Sequence, residues 1–504
     1  MKNWLKHILL ALLIVVGGSG SWAQKIISYQ AGMGTRDKDN ANVWILFDKV
    51  HATHDGMDLY ADSAHLDTKR NDFLAFGDIR IDITDTTSIW GSRLYYNGDT
   101  RIAEIWDDTV VMVDGETQLL SNHLVYNRNT NTATYDKWGF TINGKNSMYS
   151  LKGHYNNMTK IVRVYDSVIL DNEESTLYTD TLIYNTNTSI ADFFTPTRIV
   201  NDTTVIYSSL GSYNTDIRKS ESLRDSRIVS GSKTLDCDTL LYYEEIEFGK
   251  AYGHVVIRDT ANQLTCMGGY GETRQSTDIS MVTDSALVIY VDKGDTVWMH
   301  ADTITAATTD SSTLRWIQAC HHVKIFRQDM QGMCDSTFYN AADSTATMYG
   351  SPVVWYESYQ SMADTIRVLH DTAGIRRADL LSNSFSIEQA DSSRFNQIKG
   401  KQTIVYFKEE EPTYADILGN AQMVYFITDE DSLGNKSLIG VNCGIGADMR
   451  IYFENREPSR MVTYGNPDMH TYPVDKLPED QKRLKGFIWT DSRRPKCWQD
   501  VFVW

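Results

Sequence analysis

Leu-Tyr-Ala-Asp-Ser-Ala-His-Leu (59–66), Ile-Trp-Gly-Ser-Arg-Leu-Tyr-Tyr (89–96), Leu-Leu-Ser-Asn-His-Leu-Val-Tyr (119–126) and Leu-Tyr-Thr-Asp-Thr-Leu-Ile-Tyr (177–184) are one pattern written repeatedly along the chain. Their last residues belong to a column, Leu66, Tyr96, Tyr126, Tyr155, Tyr184, Tyr213, Tyr242 and Tyr270, with steps of 30, 30, 29, 29, 29, 29 and 28. So regular a period marks stacked supersecondary units rather than a mosaic of domains. Past Tyr270 it loosens through Ala306, Tyr339 and Val368, with further units ending near Ile387, Tyr406 and Tyr452.

Five positions before each column residue stands a small side chain, among them Ala61, Gly91, Ser121, Ser150, Cys237 and Cys334. A ladder of small residues marks a place where another part of the structure comes close. Around it apolar residues alternate with period 2, as in a strand, and the alternation then slips by one at an Asp or Asn (Asp62, Asn122, Asp180, Asp238, Asp302, Asp335). A slip at a turn-forming residue predicts a bend or bulge, so these carboxylates are read as corner chemistry. A Gly-centred break about 11 residues after the column (Gly77, Gly253, Gly350, and later Gly419 and Gly465) is read as announcing a second strand in each unit. The expectation is an all-β, elongated, repeat-built jelly roll or solenoid of two facing antiparallel sheets, about 30 residues per unit, each unit advancing the stack by one strand.

The surrounding sequence agrees with an exported protein. Lys2 and Lys6 precede the apolar run Ile8–Val16 and the small-residue stretch ending at Ala23, the pattern of a signal peptide cut after residue 23. No later stretch reaches the roughly 20 apolar residues of a membrane-spanning helix. Residues 24–475 then form one repeat-built domain, divisible at 290/291 into two stacked sections, and 476–504 a basic, aromatic C-terminal segment. That segment is expected either to cap the body or to meet a partner. The formal charge of -18 speaks against nucleic acid as a partner, since such binding needs Lys and Arg against phosphates. Six cysteines in 504 residues do not make a disulfide scaffold.

The catalytic signatures sought, among them the nucleophile elbow, the phosphate-binding Gly loop and the zinc-protease helix, do not occur, and the chain is read as a non-enzyme without cofactor. The nearest thing to a metal cluster, Cys320-His321-His322 with Cys334, lacks zinc spacing, and strand alternation would send the two histidines to opposite faces.

The recurring strand, small residue, Asp/Asn, apolar, Tyr, turn, strand pattern behind a signal peptide resembles the OstA-like family, which includes the periplasmic lipopolysaccharide-transport bridge protein LptA and the N-terminal domain of the outer-membrane translocon. The matching segments are clearest at Leu59 to Asp82, Leu177 to Tyr184, Gly253 to Ile257 and Tyr414 to Val424, and the likeness extends over about residues 45–470. The chain departs from that family in being several times longer than a minimal bridge and in lacking an obvious C-terminal membrane barrel. The resemblance implies a twisted jelly roll whose apolar interior carries lipid A acyl chains, with other bridge components or further copies of the chain pairing at its edge strands. On that reading the lipid-contacting residues are Leu94, Leu124, Leu182, Leu240 and Ile304, flanked by Tyr96, Tyr126, Tyr155, Tyr184, Tyr213 and Tyr242. The alternatives are an exported structural or adhesin-like repeat protein without lipid cargo, in which these residues are ordinary core, and a β-helix polysaccharide-processing enzyme.

Overall fold

A computed structural model describes residues 26–504 apart from 293, 310–312, 372–373, 410 and 431–435, so the signal-peptide reading lies outside the described residues. The chain divides into two compact units. The first ends at Asp202 and also takes Leu210–Asp216, and the second holds Thr203–Ser209 and Ile217–Trp504.

In the first unit Val43–His54, Met57–Asp67, Asp72–Thr84, Thr87–Asn97, Ile102–Asp114 and Thr117–Asn127 follow one another as an antiparallel meander. Each repeat therefore supplies two strands of 11 to 13 residues and advances the ladder by two strand spacings, where the sequence suggested one. Every one of these ladders shifts register at mid-strand, for example between Tyr60/Ser63, Phe76/Ile79 and Trp90/Arg93. A one-residue slip in a straight strand would turn the buried side chains outward. Here the strand bends, and burial runs Met57, Leu59, Ala61 before the corner and Ala64, Leu66 after it. The two walls are thus the two halves of the same bent strands.

The corners explain two sequence columns. Gly77 lies inside the strand Asp72–Thr84 at φ +71 instead of opening it, followed by Asp78 at φ 30. Gly253, Gly350, Gly419 and Gly465 repeat that left-handed geometry in the second unit. Their period signalled a bend, and the expected strand start is corrected accordingly. The small-residue column sits inside the bend: Ser121 Oγ donates to Trp138 O at 2.7 Å, and Ser208 Oγ donates at 2.9 Å to Arg224 O, which also accepts from the Ser209 N–H. At Gly91 an added Cβ would fall 2.5 Å from Ile105 Cγ2.

The second unit continues with bent hairpins from Phe248–Asp259 and Leu264–Arg274 through Leu314–Phe326 and Met330–Asn340 to Glu411–Glu430 and Lys436–Glu454. Its last residues form an irregular strap across the outer face of one wall, held by buried amides from three strands. Gln397 Nε2 donates to Lys482 O (2.8 Å) and its Oε1 accepts from Leu484 N. Gln360 bonds Ile488 O and the backbone N–H of Thr490 at 2.7 and 2.8 Å. Gln331 Oε1 accepts from Arg494 Nε at 2.6 Å. Leu477 and Leu484 of the strap pack with Val424, Phe426 and Val441, so this wall is covered on both faces.

Candidate apolar cargo cavity

In the first unit the inward positions are filled. Leu94, Leu124, Leu182, Tyr96, Tyr126, Tyr155, Tyr184 and Tyr213 are each at most 1 % exposed. The tyrosine column also does something its period did not announce. Tyr126 bonds Asn157 Oδ1 at 3.3 Å, whereas the other four rings span the interior and each hydroxyl meets a polar residue near a hairpin tip of the other wall. Tyr96 Oη lies 2.7 Å from His54 Nδ1, Tyr155 Oη donates to Asp114 Oδ2 at 2.6 Å, Tyr184 Oη donates to Asn143 Oδ1 at 3.1 Å and Asn172 Nδ2 donates to Tyr213 Oη at 3.1 Å. The separations are 42, 41, 41 and 41 residues, so this is a second periodic ladder, clasping the two walls. Burial raises the phenols of Tyr96 and Tyr155, and the hydrogen bond to Asp114 adds to the rise at Tyr155. In the second unit Leu240, Ile304 and Tyr242 are likewise buried, Tyr242 donating to Gln275 Oε1 at 3.3 Å with its phenol pushed up to about 12 by burial.

Farther along the second unit the clasp is interrupted. Val368 holds the column position on Thr365–Asp371. On the next strands of this wall the inward residues are Val405 and Ile451, while Tyr406, Tyr414 and Tyr452 form a separate run of ring contacts, Tyr406 stacking on Tyr414 at 4.5 Å. The units expected to end at Tyr406 and Tyr452 thus end one residue earlier, on aliphatic side chains. Three large rings are replaced by branched aliphatics, and a cavity of 410 Å³ lies between the walls. Ile366, Val368, Leu380, Val405, Ile417 and Ile451 line it from one wall, and Val354, Ser361, Ser386 and Ile398 from the other. Ser361 and Ser386 hydrogen-bond each other at 3.0 Å, and Thr403 on the facing wall bonds Ser384 at 2.8 Å, so these lining hydroxyls are partnered within the protein. The volume falls within the roughly 300–1,000 Å³ of small-ligand sites.

At the cavity mouth an exposed ion pair stands where buried tyrosines clasp the first unit. Arg456, on the turn between Glu454 and Glu457, places Nη1 2.6 Å from Glu357 Oε1 on the opposing turn and Nε 3.5 Å from Glu411 Oε1. Such surface pairs are worth about 0–1 kcal/mol, far less than a buried hydrogen bond to a charged group. Inside the mouth Tyr356 meets Phe407 edge to face at 6.1 Å, and burial, with Glu388 nearby, raises the Tyr359 phenol.

Residues 24–175 and 147–238 match a family model described as OstA-like protein. Over these residues the chain resembles the OstA-like family. Among solved structures it is similar to LptH from Pseudomonas aeruginosa, described as the LptA-homologous periplasmic component of the lipopolysaccharide transport device. That match has 16% identity and a TM-score of 0.14, over 29% of this chain and 85% of that one. The WD40 domain of SCAP from fission yeast matches at 8% identity and a TM-score of 0.13, covering 66% of this chain and 86% of that one. No curated protein sequence matches. The cavity lies outside the OstA-like match, in residues whose repeat had already loosened in the sequence.

The histidine-cysteine cluster is resolved differently from its sequence reading. His321 and His322 both take left-handed φ at a strand corner, and both side chains are exposed, pairing with Asp335 (3.3 Å) and Asp302 (2.9 Å) instead of alternating across the strand. Cys334 is buried and donates to Ser336 O. Among the described residues no group of three or more His, Cys, Asp or Glu side chains is placed to share a metal ion.

Proposed function

We propose that this chain is an exported, periplasmic carrier of the lipopolysaccharide-transport type, which holds lipid A acyl chains between its β walls on their way toward the outer membrane and carries out no catalysis. The observation that carries this reading is the apolar cavity at Val368, Val405 and Ile451, where aliphatic side chains hold the tyrosine positions and the opposing wall tips meet in the exposed Arg456–Glu357 pair. Each methylene buried there contributes about 0.8 kcal/mol, enough to retain a chain without covalent chemistry. The OstA-like match over residues 24–238 supports an envelope transport role. Cleavage after residue 23 belongs to the same reading, as does a continuous repeat domain to residue 475.

Leu94, Leu124 and Leu182 in the first unit and Leu240 and Ile304 in the second, with the tyrosines Tyr96, Tyr126, Tyr155, Tyr184, Tyr213 and Tyr242, are further acyl-contacting positions within their own units if the clasps part. The short exposed strands Ser28–Gln30, Met33–Arg36 and Asp468–Tyr472 offer edges to other bridge components or to a second copy. The second reading, an exported structural repeat protein without cargo, is favoured by the filled interior of the first unit. Mass spectrometry of the protein purified from envelope extract separates the two. Lipid A is expected with the native chain and lost with Val368→Phe/Val405→Phe, which refills the cavity. Protein free of lipid A in both preparations contradicts the transport reading.

A further inference from the structure

We infer that the solvent side of the strap, residues 476–504, docks on an anionic lipid surface. The inference goes beyond the cargo reading, because it concerns an outer surface and stands or falls separately from the cavity. The strap differs in charge from the rest of the chain: it carries seven Lys and Arg against four Asp and Glu, while the whole chain has a formal charge of -18. Lys482 is neutralised by Glu479 and Lys496 by Asp491. Lys476, Arg483, Lys485 and Arg493 are exposed and meet no carboxylate partner among the described residues, and on the strap they are opposed by the exposed carboxylate of Asp480.

The same side exposes apolar groups. Pro495 and Val501 are buried and anchor the segment, while Ile488, Trp498, Phe502, Val503 and Trp504 stand between 40 and 65 % exposed. Phe502 and Trp504 rest against His300 and His322, at 4.8 and 5.0 Å between ring centres, so the cluster is held in place. Unpaired cations lie beside the rings: the Arg493 guanidinium is 5.3 Å from the Trp504 ring and that of Arg483 is 4.5 Å from Phe487. Exposed rings next to unpaired Lys and Arg fit the boundary of a lipid leaflet, where rings reach the acyl edge and cations meet phosphates. The acidic body does not oppose this contact, because at physiological ionic strength charges are screened beyond about 8 Å and the lipid meets the charge of the strap alone.

The test is flotation of the protein, purified from envelope extract, with vesicles of phosphatidylcholine alone and of phosphatidylcholine mixed with phosphatidylglycerol. Binding is expected to be about tenfold or more stronger on the anionic vesicles and to weaken with added salt. Lys476→Glu/Lys485→Glu should reduce it about tenfold or more, and Trp498→Ser/Val503→Ser about threefold or more, with melting temperatures near that of the native chain. Lys137→Glu/Lys145→Glu makes the same change in net charge at exposed positions of the first unit and should leave binding within about twofold. The cavity-filling Val368→Phe/Val405→Phe should bind vesicles as the native chain does, which separates this surface from the cargo site. Equal binding to both kinds of vesicle, binding to neither, or the same loss from the first-unit control as from the strap variants overturns the assignment.

Discussion

The carboxylate of Asp62 occupies the space over Gly77 at the bend of the neighbouring strand: a Cβ added to Gly77 would lie 2.2 Å from Asp62 Oδ2. Asp238 stands over Gly253 in the same way, at the same 2.2 Å. The Asp column and the Gly column are therefore two halves of one corner, repeated in both units. Gly77→Ala faces both a left-handed φ of +71 and this carboxylate, and should lower unfolding stability by about 1–2 kcal/mol from the backbone conformation alone. In urea denaturation, adding Asp62→Ala should recover only the steric part. Full recovery would mean that the backbone conformation costs nothing.

The clasp ladder makes a second prediction. Asp114, buried at the tip of Ile102–Asp114, accepts from Tyr155 and Thr87 and pairs with Lys160. Tyr155→Phe removes one bond to a charged group and should cost about 1.5–3 kcal/mol in the same assay. A change within error would show that the tyrosine hydroxyls do not tie the walls.

How much of this was legible in the sequence follows from what each signal reports. Period and phase slip are local properties of a strand, so the repeat, the all-β class and the bend at Asp62 could be read directly. The partners of the tyrosines could not. His54, Asp114, Asn143 and Asn172 differ in type and lie 41 or 42 residues upstream, a distance that becomes a contact only once bent strands are stacked. The cavity was visible only as a weakening of the pattern, Val368 in a tyrosine column, and Tyr406 and Tyr452 drew attention to the wrong face because each is adjacent to the inward residue. His321 and His322 were misread because alternation assumes a straight strand, and they form its corner.

The strap gives a third prediction. Gln360 is fully buried, accepts from Trp355 Nε1 and the Thr490 N–H, and donates to Ile488 O. Gln360→Leu strands strap groups without partners and should cost about 2–3 kcal/mol. Deleting 476–504 should lower the melting temperature and expose Val424, Phe426 and Val441 to dye binding. An unchanged melting temperature and unchanged envelope association would mean that the segment neither caps this wall nor meets a partner.

The thiols supply a fourth. Burial pushes Cys237, Cys266 and Cys334 up to about 12, so their thiolate fraction near pH 8 is very small, whereas Cys497 is exposed. A maleimide should label Cys497 rapidly in native protein and the other three only after unfolding, as read by peptide mass spectrometry. Fast native labelling of Cys266 would contradict the packed interior.

Photo-crosslinking in living cells tests the central claim most directly, with a photoreactive amino acid placed at Val405 in the cavity, at Leu124 in the clasped first unit, or at the exposed turn residue Asn129. A labelled lipopolysaccharide adduct is expected at Val405, a weaker one at Leu124 that strengthens when Tyr155→Phe loosens the clasp, and none at Asn129. Adducts absent from both interior positions, with the protein folded and exported, would contradict the carrier account.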